Sequence, residues 1–165
     1  MLNALKQGEI AMKFCVFSDS HNHTEHMLLA LGQEQPDAML FLGDGERDLK
    51  AVYKRFPDLP VYAVRGNCDY YSDLPQWLTC ELDGIPALFT HGHLFGVKYD
   101  LIELEDAARS VGARIVLFGH THEAYLREDE ELTILNPGSI GDYGENTYGV
   151  IETENGSFTA RIEEI

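Results

Sequence analysis

The chain has 165 residues, 44% of them hydrophobic and 24% charged, with 28 Asp and Glu against 12 Lys and Arg. These values fit one globular domain with a real core and exclude global disorder or a collagen-like fibre. The net charge of −16 disfavours a general DNA- or RNA-binding role, since duplex nucleic acid is held largely by cationic side chains.

The longest strictly apolar runs, Met27–Leu31 and Ala38–Leu42, are five residues each, and a membrane-spanning helix needs roughly 20. The opening MLNALKQGEIAMK lacks a long apolar stretch behind a basic start, so no secretory signal is expected. Residues 1–12 are expected to be an appendage to a single domain that fills the rest of the chain. Cys15, Cys68 and Cys80 are odd in number and show no CxxC spacing. Reduced thiols and a cytoplasmic location follow as expectations.

In chain order, Phe14–Phe17 predicts a buried strand, and Thr24–Gly32 a helix with Thr24 as its cap and Gly32 as its stop. Ala38–Leu42 predicts a second buried strand, Arg47–Phe56 a second helix ended by Pro57, and Val61–Val64 a third strand. Gln76–Leu82 and Ile85–Thr90 flank Asp83-Gly84, a hairpin signal. Tyr99–Val111 predicts a third helix with Leu101, Leu104, Ala108 and Val111 on one face, and Ile115–Phe118 another buried strand. Two further hairpins follow, Ala124–Glu128 with Leu132–Leu135, and Tyr148–Glu152 with Phe158–Ile162 across Asn155-Gly156. Alternating strands and helices argue for parallel pairing, and a hairpin-rich second half for antiparallel additions. The expected class is α/β, a two-sheet sandwich with helices outside.

Five strand-like runs each end in a polar cluster: Ser18-Asp19-Ser20-His21, Gly43-Asp44-Gly45, Gly66-Asn67-Cys68-Asp69, Thr90-His91-Gly92-His93 and Gly119-His120-Thr121-His122. Ligands of open α/β sheets bind outside the carboxyl ends of the strands, so these tips are expected to converge. Two apart, Asp19 and His21 would share a side of an extended segment, as would His120 and His122. The donors are two Asp, one Asn and at least four His. That mixture of oxygen and imidazole suits Mn, Fe, Zn or Ni better than Ca or Mg alone. Seven donors exceed one tetrahedral site, so two ions sharing a bridging carboxylate is the economical reading.

With these motifs and Asn136-Pro137-Gly138-Ser139, the sequence resembles the calcineurin-like metallophosphoesterases, most closely the YfcE-type small prokaryotic phosphodiesterases, over residues 13–165. The resemblance implies a four-layer α/β/β/α sandwich of two mixed sheets. It assigns Asp19, His21 and His122 to one divalent ion and Asn67, His91 and His120 to the other, with Asp44 bridging. Manganese is favoured, with Ni, Fe or Zn as alternatives. Asp44, Asn67 and His91 would act in catalysis through the metals and a water or hydroxide between them. The implied substrate is a small phosphoester, and homodimers or homotetramers are common in the family.

Many family members carry His where this chain has Cys68. A thiol cannot replace an imidazolium, which favours diesters or good leaving groups over general phosphomonoesters. Cys68, Asp69 and His93 are the candidates for supporting or substrate roles, with Asp69 expected to orient the Asn67 loop. Arg65 is read as holding loop carboxylates, Tyr70 and Tyr71 as packing aromatics, and His23 and His26 as surface. No chemical role is assigned to Asn136–Ser139. Two alternatives stay open: a phosphomonoesterase on small metabolites, and a scaffold such as the small subunit of the retromer coat. The scaffold reading predicts a lost ligand, and all seven ligand types are present.

Overall fold

In a computed structural model, residues 11–165 are described. Residues 1–10, most of the expected appendage, lie outside them; Met12 is the first residue of β1 (Met12–Phe17) and pairs with Thr153.

One sheet has the order β10-β9-β1-β2-β3, formed by β1, β2 (Ala38–Phe41), β3 (Val61–Ala63), β9 (Thr147–Glu154) and β10 (Ser157–Glu164). The other has the order β4-β5-β6-β8-β7, formed by β4 (Trp77–Leu82), β5 (Ile85–Thr90), β6 (Ile115–Leu117), β7 (Ala124–Glu128) and β8 (Thr133–Pro137). Strands β1, β2 and β3 are parallel, as are β5, β6 and β8, and antiparallel hairpins flank both sets. The sheets are mixed, as the alternating first half and hairpin-rich second half predict.

Strand alternation sorts the apolar residues into three cores. Phe14, Val16, Leu40, Phe89, Ile115 and Leu117 meet between the sheets. Cys15, Phe17, Met39 and Phe41 point the other way, onto α1 (Glu25–Glu34) and α2 (Leu49–Arg55) through Met27, Leu31 and Val52. Leu88, Val116 and Ile134 pack outward on α3 (Ile102–Ser110) through Leu104 and Ala108. Three cores separate four layers, helix, sheet, sheet, helix. Strands buried on both faces explain why their sequences run apolar without alternating.

Several boundaries differ from expectation. Helix α1 runs through Gly32 and stops at Gln35, in the left-handed conformation with its N–H on Leu31 O. A single glycine costs a helix only about 1 kcal/mol, less than the packing of Ala30 and Leu31 gains. Thr24 occupies the cap position without a side-chain cap bond. The second predicted helix divides into a 3₁₀ turn over Glu46–Asp48 and α2, because Asp48 turns inward to Ser20. Val111 lies past the end of α3 and is 45% exposed, off the predicted buried face.

Candidate metal centre

The five polar tips leave the carboxyl ends of β1, β2, β5 and β6 and the segment after β3, and they meet at one edge of the sandwich. Backbone bonds tie them together: Asp19 N–H to Gly43 O (3.0 Å), His21 N–H to Asp44 O (3.2 Å) and Gly119 N–H to His91 O (3.0 Å). None of the Asp19–His21, Asp44 or His120–His122 tips is simply extended. Asp19, His21, Asp44, His120 and His122 all have positive φ, between 43° and 70°. Non-glycine residues rarely adopt that region, and such strain clusters at functional sites.

The donor atoms form three overlapping groups. In the first, Asp19 Oδ1 lies 3.1 Å from His122 Nε2 and 3.6 Å from His21 Nε2. Asp44, His91 and His120 form another, with His91 Nε2 3.3 Å from Asp44 Oδ2 and 3.1 Å from Asn67 Oδ1. His21, Asp44 and Cys68 form the third, sharing a member with each. Asp44 joins the groups, since its Oδ2 is also 4.0 Å from His21 Nε2. All seven predicted ligands are therefore brought together. His120 and His122 do not share one side as an extended segment would place them: His122 groups with Asp19 and His21, and His120 with Asp44 and His91, the split the family resemblance implies.

These residues fit divalent cations. Asp19 Oδ1 is buried and has no hydrogen-bond partner among the described residues. A buried carboxylate oxygen left so carries a desolvation cost that a cation would offset. His91 Nδ1 lies 2.8 Å from Leu42 O. A carbonyl only accepts, so Nδ1–H donates and the Nε2 lone pair faces the centre. His122 Nδ1 likewise lies 3.0 Å from Asp142 Oδ2, and its Nε2 lies toward Asp19.

The carboxylates are held ionised. Burial pushes Asp19 up, but the adjoining imidazoles of His122 and His21 and the hydrogen bond from Ser18 outweigh it and keep it well below the usual range. Burial also acts against Asp44, yet His91 and the Cys68 N–H hold it at about 2. The adjoining Asp19 carboxylate raises His122 to about 9, whereas burial and the neighbouring His91 lower His120 to about 4. Burial and the nearby Asp44 carboxylate raise the Cys68 thiol to about 11.

The supporting residues resolve further sequence readings. The Asp69 carboxylate accepts from Asp44 N–H (2.8 Å), Gly66 N–H (2.9 Å), Gly45 N–H and Glu46 N–H (both 3.0 Å). It clamps the Asp44 loop to the Asn67 loop, as expected. Asn136, given no role above, donates to Gly119 O (3.1 Å) and Thr121 Oγ1 (2.9 Å), pinning the loop that carries His120 and His122. Ser139 Oγ donates to Asp19 O (2.8 Å). His93 stacks edgewise near His91 and His120, with ring centroids at 5.5 and 6.1 Å.

Arg65 reaches the Ser72 carbonyl and pairs with no carboxylate among the described residues, contrary to expectation. Tyr70 and Tyr71 do not pack; they are 78% and 94% exposed at a cleft of about 480 Å³ that opens on His21 and Asp44. They sit in turns between β3 and β4, a segment whose Val64 and Leu74 take the core positions instead. His23 and His26 line a separate hollow with Asp142 and Tyr143. Sequence reasoning missed Asp142 and Asp48. Each is a lone carboxylate on a different loop, with no local pattern marking its partner.

Comparison with known proteins agrees with this arrangement. The model for the calcineurin-like phosphoesterase superfamily domain matches residues 12–156. A protein of Bacillus subtilis named probable metallophosphoesterase YsnB is 31% identical, covering 92% of this chain and 90% of that protein. Phosphodiesterase YfcE of Escherichia coli is 28% identical, covering 87% and 89%. A crystal structure of a predicted phosphoesterase from Streptococcus pneumoniae superposes with a TM-score of 0.79 at 26% identity, covering 95% of this chain and 91% of that one. The matched residues include all five strand-tip motifs, and the chain belongs to the calcineurin-like phosphoesterase superfamily.

Proposed function

We propose that the chain is a dinuclear metal-dependent phosphodiesterase. Its family carries the coarser statement, a metal-dependent phosphoester hydrolase. The observation that supports the finer one is the double membership of Asp44, whose carboxylate belongs to groups with His91 and His120 on one side and with His21 and Cys68 on the other. On this reading Asp19, His21 and His122 would hold one ion and Asn67, His91 and His120 the other, with Asp44 between. Two bound divalent cations acidify a water for in-line attack and neutralise the phosphoryl oxygens. Manganese is favoured, with Ni, Fe or Zn as alternatives.

The protein's own contribution is positioning. Leu42 O fixes the ring of His91, Asp142 that of His122, and Asp69 the backbone of Asp44. The diester preference rests on residue type at position 68. A thiol bears no positive charge in either protonation state, so nothing there stands in for an imidazolium beside a dianionic monoester or its leaving oxygen. We carry forward one catalytic domain over residues 13–165, a cytoplasmic location, and a homodimer or homotetramer. No described helix is long and apolar enough to cross a membrane.

The test is hydrolysis of bis(p-nitrophenyl) phosphate with Mn²⁺, beside p-nitrophenyl phosphate and the Asp44→Asn protein. Diester turnover that needs both the metal and Asp44 is expected. Faster monoester turnover would favour the phosphatase alternative. No turnover of either ester with Mn, Ni, Fe or Zn would refute the hydrolase reading and favour a scaffold.

A further inference from the structure

The cleft beside His21 and Asp44 carries basic and aromatic side chains of its own. Arg47 and Lys50 line it and pair with no carboxylate among the described residues, in a chain whose acidic residues outnumber basic ones 28 to 12. Tyr70 and Tyr71, 78% and 94% exposed, line the same cleft. Two large aromatic rings without packing partners present π-faces on which a planar group can stack. The carboxylates on this wall besides Asp44 are Asp69, whose oxygens are occupied by four backbone N–H groups, and Glu46, a free acceptor suited to a sugar hydroxyl.

From this juxtaposition we infer that the substrate is a short nucleotidyl phosphodiester with a second phosphate, such as a 5′-phosphorylated dinucleotide. A base stacks on Tyr70 and Tyr71, and Arg47 and Lys50 hold the terminal phosphate. The inference rests on the phosphodiesterase reading above and deepens it. The cleft volume of about 480 Å³ lies in the range of small-ligand sites, roughly 300–1,000 Å³, and takes one nucleotide-sized group rather than a polymer. The net charge of −16 acts in the same direction, repelling long polyanions while two local cations accept one phosphate. In the reaction, a water oxygen bonds to the bridging phosphorus. The bond from phosphorus to the 3′ oxygen breaks, its electron pair stays on that oxygen, and the proton lost by water ends there. One water and one phosphorylated dinucleotide give two nucleoside 5′-monophosphates.

The experiment compares three Mn²⁺-dependent rates: 5′-phosphorylated diadenosine monophosphate, the same dinucleotide without its 5′ phosphate, and bis(p-nitrophenyl) phosphate. In the wild type, kcat/KM for the phosphorylated dinucleotide is expected to exceed that of the unphosphorylated one at least tenfold. In the Arg47→Ala/Lys50→Ala protein that ratio falls toward one. In Tyr70→Ala/Tyr71→Ala both dinucleotides lose about tenfold in kcat/KM relative to the aryl diester while the ratio between them is retained; an unchanged value relative to the aryl diester overturns the stacking assignment. Each ratio is taken within one protein, so partial misfolding cancels. Turnover of the aryl diester without preference for the phosphorylated dinucleotide overturns the substrate assignment and leaves the phosphodiesterase reading standing, as does an unchanged ratio in the Arg47/Lys50 variant. Failure to turn over all three esters overturns the phosphodiesterase reading, and this inference with it.

Discussion

Asp69 is one side chain beyond the predicted ligand set, yet four backbone N–H groups from two loops converge on its carboxylate at 2.8–3.0 Å. Asp69→Asn keeps the shape and replaces one oxygen by an amide. Whichever way that amide turns, two N–H groups lose their acceptor and face another donor. Hydrogen bonds to a charged acceptor contribute about 1.5–3 kcal/mol each, which sets an upper bound of about 3–6 kcal/mol for two. The residue is only half-buried, so water recovers part of this and the expected loss is about 2–4 kcal/mol. Total stabilities of about 5–15 kcal/mol leave the variant folded. Urea denaturation should show a lower midpoint with an unchanged slope, since the same surface is exposed on unfolding. Loss of the clamp also frees the Asp44 backbone, so metal affinity should fall about 10–100-fold, as for other residues that support a ligand. Asp73→Asn, an exposed carboxylate a few residues on, is the control and should stay within about 0.5 kcal/mol. If Asp69→Asn matches that control in stability and binds metal like the wild type, the clamp argument is wrong.

Gly66→Ala would bring a Cβ to 2.6 Å from Asp44 Cγ, so metal content by mass spectrometry should drop although the fold persists. Asp142→Asn removes the carboxylate that orients His122; metal affinity by titration calorimetry should fall about tenfold or more, and an unchanged value would show that His122 needs no orienting partner. His21 has φ 43° and is only half-buried. With metal chelated, His21→Gly should therefore be more stable than His21→Ala by about 1 kcal/mol, reversing the usual order of the two residues. Glu34 is pushed up by burial but held below its ordinary pKa by Lys13, Tyr148 and Arg161. A depressed carboxylate contributes stability above its unfolded pKa and loses it as pH falls through its folded value, so Glu34→Gln should flatten the thermal stability profile below about pH 4.5.

The four layers were legible because burial on both faces leaves a signature in strand sequence. Phe14–Phe17, Ala38–Leu42 and Ile115–Phe118 read as apolar without alternation, and each lies between two cores. The convergence of the candidate ligands was legible because each motif follows a strand-like run, and parallel strands bring their carboxyl ends to one edge. What the residues alone did not reveal is how the tips turn. An extended segment places His120 and His122 on one side, whereas they fall in separate groups. Tyr70 and Tyr71 were misread because aromatic residues usually pack, and nothing local says that Val64 and Leu74 take the core positions of the chain between β3 and β4.

The left-handed backbone of the tips links the candidate ligands to residues outside the ligand set. Each non-glycine residue in that region costs about 1–2 kcal/mol and persists only where its surroundings over-determine it. Here the surroundings can be named. Asp69 fixes the backbone at Asp44, Ser139 Oγ holds the carbonyl of Asp19, and Asn136 holds the carbonyl of Gly119 next to His120. Asn136 lies in β8 and Ser139 just after it, more than a dozen residues from the nearest candidate ligand, so the second sheet's last parallel strand serves the site without supplying a donor. The seven donors alone are thus an insufficient signature of this arrangement. A chain that kept all seven but lost Asp69 or Asn136 would keep its donors while its tips relaxed toward ordinary backbone, carrying them apart.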